Sequence, residues 1–310
     1  MAVRLTIPTT ADDLTPRWLN LAFDGEVADV IGVRAERLGE GVGLLGEVTR
    51  LHLTYRPDSL GPRPATMIAK CQAAAPGNVF MSQAMGFYER ESNFYSQFSR
   101  TINLRVPYCF YTDVDPSGAP YIVLIEEITD ARMVDQVIGA NHEDSAAILD
   151  QAVTLHATFW DNDLLRSLEW LPPMNNPLYR AAREMAEPKL ESFISTWSDV
   201  LPERTLRWMR ELTPKYPDMV DWWVDQGKAT FAHMDFRADN FLFGGSAGSG
   251  VVTVLDWQLS ARHVGMWDVA NFLGQSVTID NRRQWENELV RRYHDGLLAA
   301  GVTDYSWERC

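Results

Sequence analysis

"FAHMDFRADNFLF" (residues 231–243) puts a histidine, three acidic or amide side chains and an arginine between phenylalanines that read as core. Buried charges are costly unless they are paired or bound to a ligand, so polar groups packed this densely need a purpose. The spacing supplies one. His233, Asp235 and Asn240 fit the order His-x-Asp-x-x-x-x-Asn, and "VLDWQ" follows with Asp256 at the end of a strand-like run. Taken singly, Asp235 could cap a turn, Asn240 could form an Asx-turn and Asp256 could merely end a strand. Taken in order, they supply what phosphoryl transfer requires. That chemistry needs a carboxylate beside the acceptor hydroxyl and two oxygen ligands to hold a magnesium ion against the phosphates. Asp235 then reads as the catalytic base, Asn240 and Asp256 as the Mg²⁺ ligands, and His233 as a structural residue bonded to nearby backbone.

Working back towards the N-terminus, "GVGLLGEV" (residues 41–48) sets Gly41, Gly43 and Gly46 between two strand-like segments. Glycine turns let backbone N–H groups approach phosphate oxygens. The following "EVTRLHLTY" alternates like a strand, which excludes the strand-to-helix setting of a dinucleotide fingerprint. Strand, glycine loop, strand is the nucleotide-covering arrangement of kinases, and a plain glycine hairpin turn fits the same residues. Lys70 in "MIAKC" ends an apolar strand, where it either snorkels to solvent or reaches an anion. As an anion ligand it would pair with the α/β-phosphates and need a carboxylate to fix it. The next helical run offers Glu91, the favoured partner, and Glu89 as the alternative.

The rest of the chain agrees with this reading. Its 310 residues are 46% hydrophobic and 23% charged, ordinary globular composition with ample core material. A net charge of −14 argues against nucleic acid or an anionic membrane as partner. It contains neither a long apolar run nor a secretory leader pattern. Cys71, Cys109 and Cys310 give neither a disulfide framework nor metal-ligand spacing, which fits a reducing cytoplasm. Thr15 and Pro16 mark a helix start. Strand-like segments dominate up to "YIVLIEEI", broken by one helical pattern over "VFMSQAMGFYERESNFYSQFSRTI" with Phe80, Ala84, Phe87, Phe94 and Phe98 in register. From residue 130 onward, helical and Trp-rich segments take over. The reading is α+β: an N-terminal nucleotide-binding lobe over 1–127 and a C-terminal catalytic and acceptor-binding lobe over 128–310. The chain ends in "SWERC" without Gly or Pro punctuation, from which a longer natural sequence is expected.

Together, "GVGLLGEVTRLHLTY", "ERESNFY", "LHATFW", "HMDFRADNFLFG", "VTVLDWQ" and "GMWDVANFL" resemble the aminoglycoside phosphotransferase and choline kinase-like superfamily. The likeness is nearest to bacterial relatives of ecdysteroid kinase-like proteins. The resemblance implies a bilobal protein-kinase-like fold, with a β-rich N-lobe holding one regulatory-type helix above a larger helical C-lobe. It also implies ATP and Mg²⁺ as cofactors and a small-molecule hydroxyl as phosphate acceptor. Lys70, Glu91, Asp235, Asn240 and Asp256 match the family's functional positions. "LIEEI" (124–128) matches the hinge, where the backbone of Glu126 and Ile128 would hold the adenine. Asp268 matches a structural aspartate. Met234 departs from the pattern, standing where the family usually has glycine, and "DWQ" replaces the "DFG" of protein kinases. Eleven residues separate Asp256 from Asp268, too few for an activation segment that binds a polypeptide. The stretch between Trp160 and Trp223 is expected to shape the acceptor pocket. Its Trp and Met residues suit a lipophilic or amphipathic alcohol, whereas the acidic balance suits an aminosugar. Antibiotic phosphorylation and a catalytically silent nucleotide-binding sensor are the alternatives.

Overall fold

The computed structural model describes residues 5–39, 45–225 and 228–310. The N-terminal part is an antiparallel sheet of β1 (Val30–Leu38), β2 (Gly46–Tyr55), β3 (Thr66–Gln72), β4 (Cys109–Val114) and β5 (Tyr121–Glu126), in the order β1-β2-β3-β5-β4. One face alternates inward: Met67, Ala69 and Cys71 of β3 are buried with Leu51, Ile122 and Leu124. That core packs on helix α1 (Pro16–Phe23), whose Thr15 hydroxyl caps Trp18 N at 3.2 Å.

The helical pattern after β3 is two helices, not one. Helix α2 (Pro76–Met85) stops where Gly86 takes φ 70°, and α3 (Phe87–Gln97) begins there. The left-handed turn, cheap only for glycine, rotates the register. Phe80 consequently faces solvent, at 72% exposure, and is not part of the core face. Helix α1 begins at Pro16 as expected, and α2 is the additional helix of this lobe.

The larger C-terminal part is mainly helical. After the short strand β6 (Ala131–Met133) comes α4 (His142–Thr158), then a series of short helices: α5 (Asp163–Ser167), α6 (Pro177–Arg180), α7 (Ala182–Ala186), α8 (Leu190–Trp197), α9 (Glu203–Leu212) and α10 (Tyr216–Asp225). Strands β7 (Thr230–Ala232), β8 (Phe241–Gly244), β9 (Val252–Val254) and β10 (Ala261–His263) follow, and α11 (Met266–Ser276) and α12 (Ile279–Ala299) close the fold. Two small sheets organise the centre: β8 pairs with β9 and β6, and β10 pairs with β7. The "NFLFG" and "VVTV" segments are joined by the glycine-rich link and pair antiparallel. No helix among the described residues is long and apolar enough to cross a membrane.

The two parts share one apolar core. Tyr88, Phe94 and Tyr95 of α3 belong to the same buried cluster as Phe231, Phe241 and Trp257. The Phe94 and Trp257 rings stack with centroids 3.7 Å apart and planes 8° apart. Side chains buried this way leave little room to slide, so α3 is seated on the C-terminal lobe.

Candidate active site

Helix α3 decides between the two glutamates. Phe87, Tyr88, Glu91, Phe94 and Tyr95 fall on one face at helical spacing, and all are buried. Glu89 lies on the opposite face and is exposed. Glu91 is fully buried and ion-pairs with Lys70 through Oε1, while its Oε2 accepts from Gln258 Nε2 at 3.0 Å and Tyr121 Oη at 3.4 Å. Burial pushes the Glu91 carboxyl up, against the pull of Lys70.

Lys70 also reaches across to Asp256, with Nζ 3.5 Å from Oδ1. Burial works against the ammonium, but Asp256 and Glu91 outweigh it and hold the lysine protonated beyond its usual range. For Asp256, the burial penalty is overcome by Lys70 and His233, which keep its carboxyl below the ordinary aspartate value. Asp256 sits two residues past β9 with φ 61°, a left-handed turn that carries the chain away from the strand.

The 231–243 stretch folds as strand, bend, single 3₁₀ turn and strand. Every polar residue in it is accounted for. His233 Nε2 bonds Leu255 O at 2.8 Å, and Leu255 N donates to Asn240 O at 2.9 Å, locking this loop to the segment that carries Asp256. Asn240 Nδ2 donates to Asp235 O at 2.8 Å and to Asp235 Oδ2 at 2.9 Å. Arg237 Nε meets the same Oδ2 at 3.1 Å, and its Nη1 meets Asp239 Oδ2 at 3.0 Å. Asp235 Oδ1 is left without a partner among the described residues. Lys70, Glu91, Asp235, Asn240 and Asp256 therefore form one bonded constellation spanning both lobes.

Beneath the loop, Asp268 is wholly buried and accepts from His233 N at 2.7 Å, Met234 N at 2.8 Å and His156 Nε2 at 3.1 Å. These donors overcome the burial penalty and hold its carboxyl low. Met234 adopts φ 70°, a left-handed conformation that costs a non-glycine residue about 1–2 kcal/mol. The bonds to Asp268 hold it there. His156 Nδ1 in turn meets Tyr293 Oη at 2.9 Å. Gly265 lies against this pair: a Cβ there would fall 2.5 Å from Tyr293 Oη and 2.6 Å from His156 Nδ1. Gly265→Ala is expected to cost about 1–3 kcal/mol by overpacking, read from the urea unfolding midpoint.

The remaining candidates are placed as follows. Gly41 and Gly43 lie outside the described residues. Gly46 is the first residue of β2, paired with Gln72, and its Cβ would sit 2.9 Å from Cys71 O and 3.1 Å from Tyr121 Oη. Close strand packing by itself explains this glycine. Glu126 ends β5, its N–H donating to Tyr108 O at 2.8 Å and its carboxylate paired with Arg105 at 2.6 Å. Ile128 lies just past it, half-buried. Two further residues of the constellation, Arg237 and Gln258, were not singled out from sequence. Arg237 stood in plain view inside the motif. Gln258 occupies the third position of "DWQ", where a side-chain amide can do what glycine cannot: tie the segment to Glu91 and Tyr121.

Among the described residues no cluster of three or more His, Cys, Asp or Glu side chains is set to hold a metal ion by itself. A magnesium site made of one carboxylate and one amide is of the kind completed by phosphate oxygens and water. The donors present fit such an ion.

Comparison with known proteins follows the same line. A model of the phosphotransferase enzyme family, APH, matches residues 83–309. Curated proteins yield no match. Among solved structures, an ethanolamine kinase of Plasmodium vivax is 9% identical with a TM-score of 0.52, covering 92% of this chain and 78% of its own. The GDP and kanamycin complex of an APH(2") protein is 14% identical with a TM-score of 0.51, covering 86% and 84%. The choline kinase LicA of Streptococcus pneumoniae is 15% identical and covers 90% of both chains, with a TM-score of 0.47. At these identities the first two likenesses, with TM-scores above 0.5, speak for the fold alone, which is the bilobal protein-kinase-like one. The family model spans well over half of the sequence, including Glu91, the 231–243 loop, Asp256 and Asp268, and the chain belongs to the phosphotransferase enzyme family.

Proposed function

We propose that the protein transfers a phosphoryl group from ATP, with Mg²⁺, to the hydroxyl of a small molecule. One observation carries the reading: Lys70, held by Glu91, reaches Asp256 from the other lobe, and the Asp256 segment is bonded to the loop of Asp235 and Asn240. Bound MgATP supplies the electrophilic phosphoryl group. Lys70 is placed to neutralise charge on the phosphates, and Asp256 with the Asn240 amide oxygen would hold the metal. Asp235 Oδ2 is occupied by Arg237 and Asn240, so Oδ1 remains to take the acceptor's proton. The hinge backbone near Glu126 and Ile128 is the proposed seat of the adenine.

The acceptor is proposed to be a lipophilic or amphipathic alcohol. Helices α7, α9 and α10 line a cavity of 570 Å³ with Trp208, Met209, Leu212, Tyr216 and Met219. This is the volume range of small-molecule sites. Its one charged lining residue among those described, Arg183, is paired with Glu187 at 3.0 Å, so the cavity offers no free carboxylate to an aminosugar.

Incubating the protein with ATP, Mg²⁺ and a metabolite extract should yield a mass-spectrometric gain of one phosphate on a hydroxylated, poorly polar compound. No phosphorylated product in any extract would favour a silent nucleotide-binding module. Glu91→Gln should raise the ATP concentration for half-maximal velocity about tenfold or more, since a charge-assisted bond to a buried lysine contributes roughly 1.5–3 kcal/mol. Glu89→Gln should leave it unchanged. Steady-state kinetics separate the two.

A further inference from the structure

One buried cation lies beside the Lys70–Glu91 pair. Arg90, the residue before Glu91 on α3, is 3% exposed. Among the described residues its hydrogen-bond partners are all neutral. Nη1 donates to Tyr179 Oη at 2.5 Å and to Leu259 O at 3.4 Å, and Nη2 donates to Met85 O at 2.6 Å. The guanidinium carbon stands 5.6 Å from the centre of the Phe87 ring and 5.5 Å from that of Tyr179. Taking a guanidinium out of water without a counter-ion is costly, and an apolar side chain would fill the space at no such cost. What arginine adds is reach, because one planar group of five donors holds three segments at once.

Two of those segments bear on Glu91. Met85 ends α2 and Gly86 separates it from α3, so the bond to Met85 O braces the joint at the start of α3. Leu259 follows Gln258, whose amide bonds Glu91 Oε2. The stack of Phe94 on Trp257 seats the helix about one turn beyond Glu91, and Arg90 seats the half that precedes it. A packed helix shifts as a unit, so whatever fixes its N-terminal half fixes the carboxylate that holds Lys70.

The third segment belongs to the helices of the acceptor cavity. Tyr179 lies in α6, where its N–H donates to the capping Asn176 Oδ1 at 3.2 Å. Only Ala181 separates α6 from α7, and Arg180 Nη1 ties α6 to α10 by donating to Asp221 Oδ1 at 2.5 Å. Helices α7 and α10 both wall the 570 Å³ cavity. Tyr216 stands in that wall, and burial pushes its phenol up, with Tyr179 beside it adding to the shift. Tyr179 therefore has the cavity wall on one side and Arg90 on the other.

We propose that Arg90 is a positioning residue for nucleotide binding and that, through Tyr179, the acceptor helices help to set nucleotide affinity. The inference rests on the phosphotransfer reading, since it takes Lys70 as the phosphate ligand. Arg90 and Tyr179 act through Glu91 and Lys70, not by contact with the nucleotide.

MgADP titrated calorimetrically into the whole protein provides the test, with the melting temperature measured alongside. The parent should bind one MgADP, and Lys70→Ala should weaken it at least tenfold; failure of either defeats the phosphotransfer reading and this inference with it. Tyr179→Phe, which removes one oxygen and keeps the ring, should weaken MgADP about threefold or more, within the range carried by packed side-chain networks. Arg90→Met should weaken it at least as much. Adding Tyr179→Phe to Arg90→Met should cost no further affinity, because both act through one bond. A structural role alone would lower the melting temperature and leave nucleotide affinity where it was. Parental MgADP affinity in either single variant, or losses that add in the double variant, would overturn the assignment while the phosphotransfer reading stands.

Discussion

Asp235→Asn is expected to lower kcat by about 10²–10⁴-fold, the usual contribution of a positioned proton acceptor. MgATP binding should be largely preserved, because Lys70, Asn240 and Asp256 remain in place. The asparagine keeps the shape of the side chain, and its amide oxygen can still receive Arg237 Nε and Asn240 Nδ2 at the position of Oδ2. What disappears is the free lone pair of Oδ1, now an NH₂ that cannot accept a proton. The loss should therefore fall on kcat with little effect on nucleotide affinity. Turnover assays paired with calorimetric titration of MgATP measure both. A variant that turns over at the parental rate removes Asp235 from the chemistry.

Asp268→Asn should have the largest effect on stability, about 3–5 kcal/mol by analogy with breaking other buried charged networks. Three N–H donors converge on this carboxylate from His156, His233 and Met234. An asparagine must turn an N–H towards one of them. Met234 then loses a bond that holds it in a left-handed conformation, and the loop bearing Asp235 loosens with it. Urea unfolding reads the loss. The sign of the pH dependence follows from the depressed carboxyl: with its folded value below that of an ordinary aspartate, the contribution of Asp268 is complete above about pH 4 and disappears as pH falls through that folded value. The acid limb of the parent's stability profile should accordingly be steeper than that of the variant.

The order of the proposed site residues could be read from the sequence because phosphoryl transfer constrains residue types and short spacings, and those survive without coordinates. Asp235, Asn240 and Asp256 are close in sequence and held by two short paired strands, so local order sufficed. Glu91 was also within reach: it shares its helix face with Phe87 and Phe94, and Glu89 does not. Other features depend on long-range placement. Gln258 matters only because β5 and α3 bring Tyr121 and Glu91 beside it, contacts that span over a hundred residues of chain. The break at Gly86 was hidden because apolar spacing on both sides looks continuous when a left-handed turn is not considered. Gly46 has a second reason to be glycine that only the paired strands reveal, the tight approach to Cys71 O.

The Trp257–Phe94 stack has a pharmacological consequence. Compounds that disable kinases by prying the corresponding aromatic residue from its slot need a vacated space to occupy. Here that residue is an indole stacked on the helix carrying Glu91, and the neighbouring glutamine is bonded to the glutamate itself. On the proposed function, inhibitors of this protein would have to compete for the proposed nucleotide or acceptor seats, and resistance should arise there.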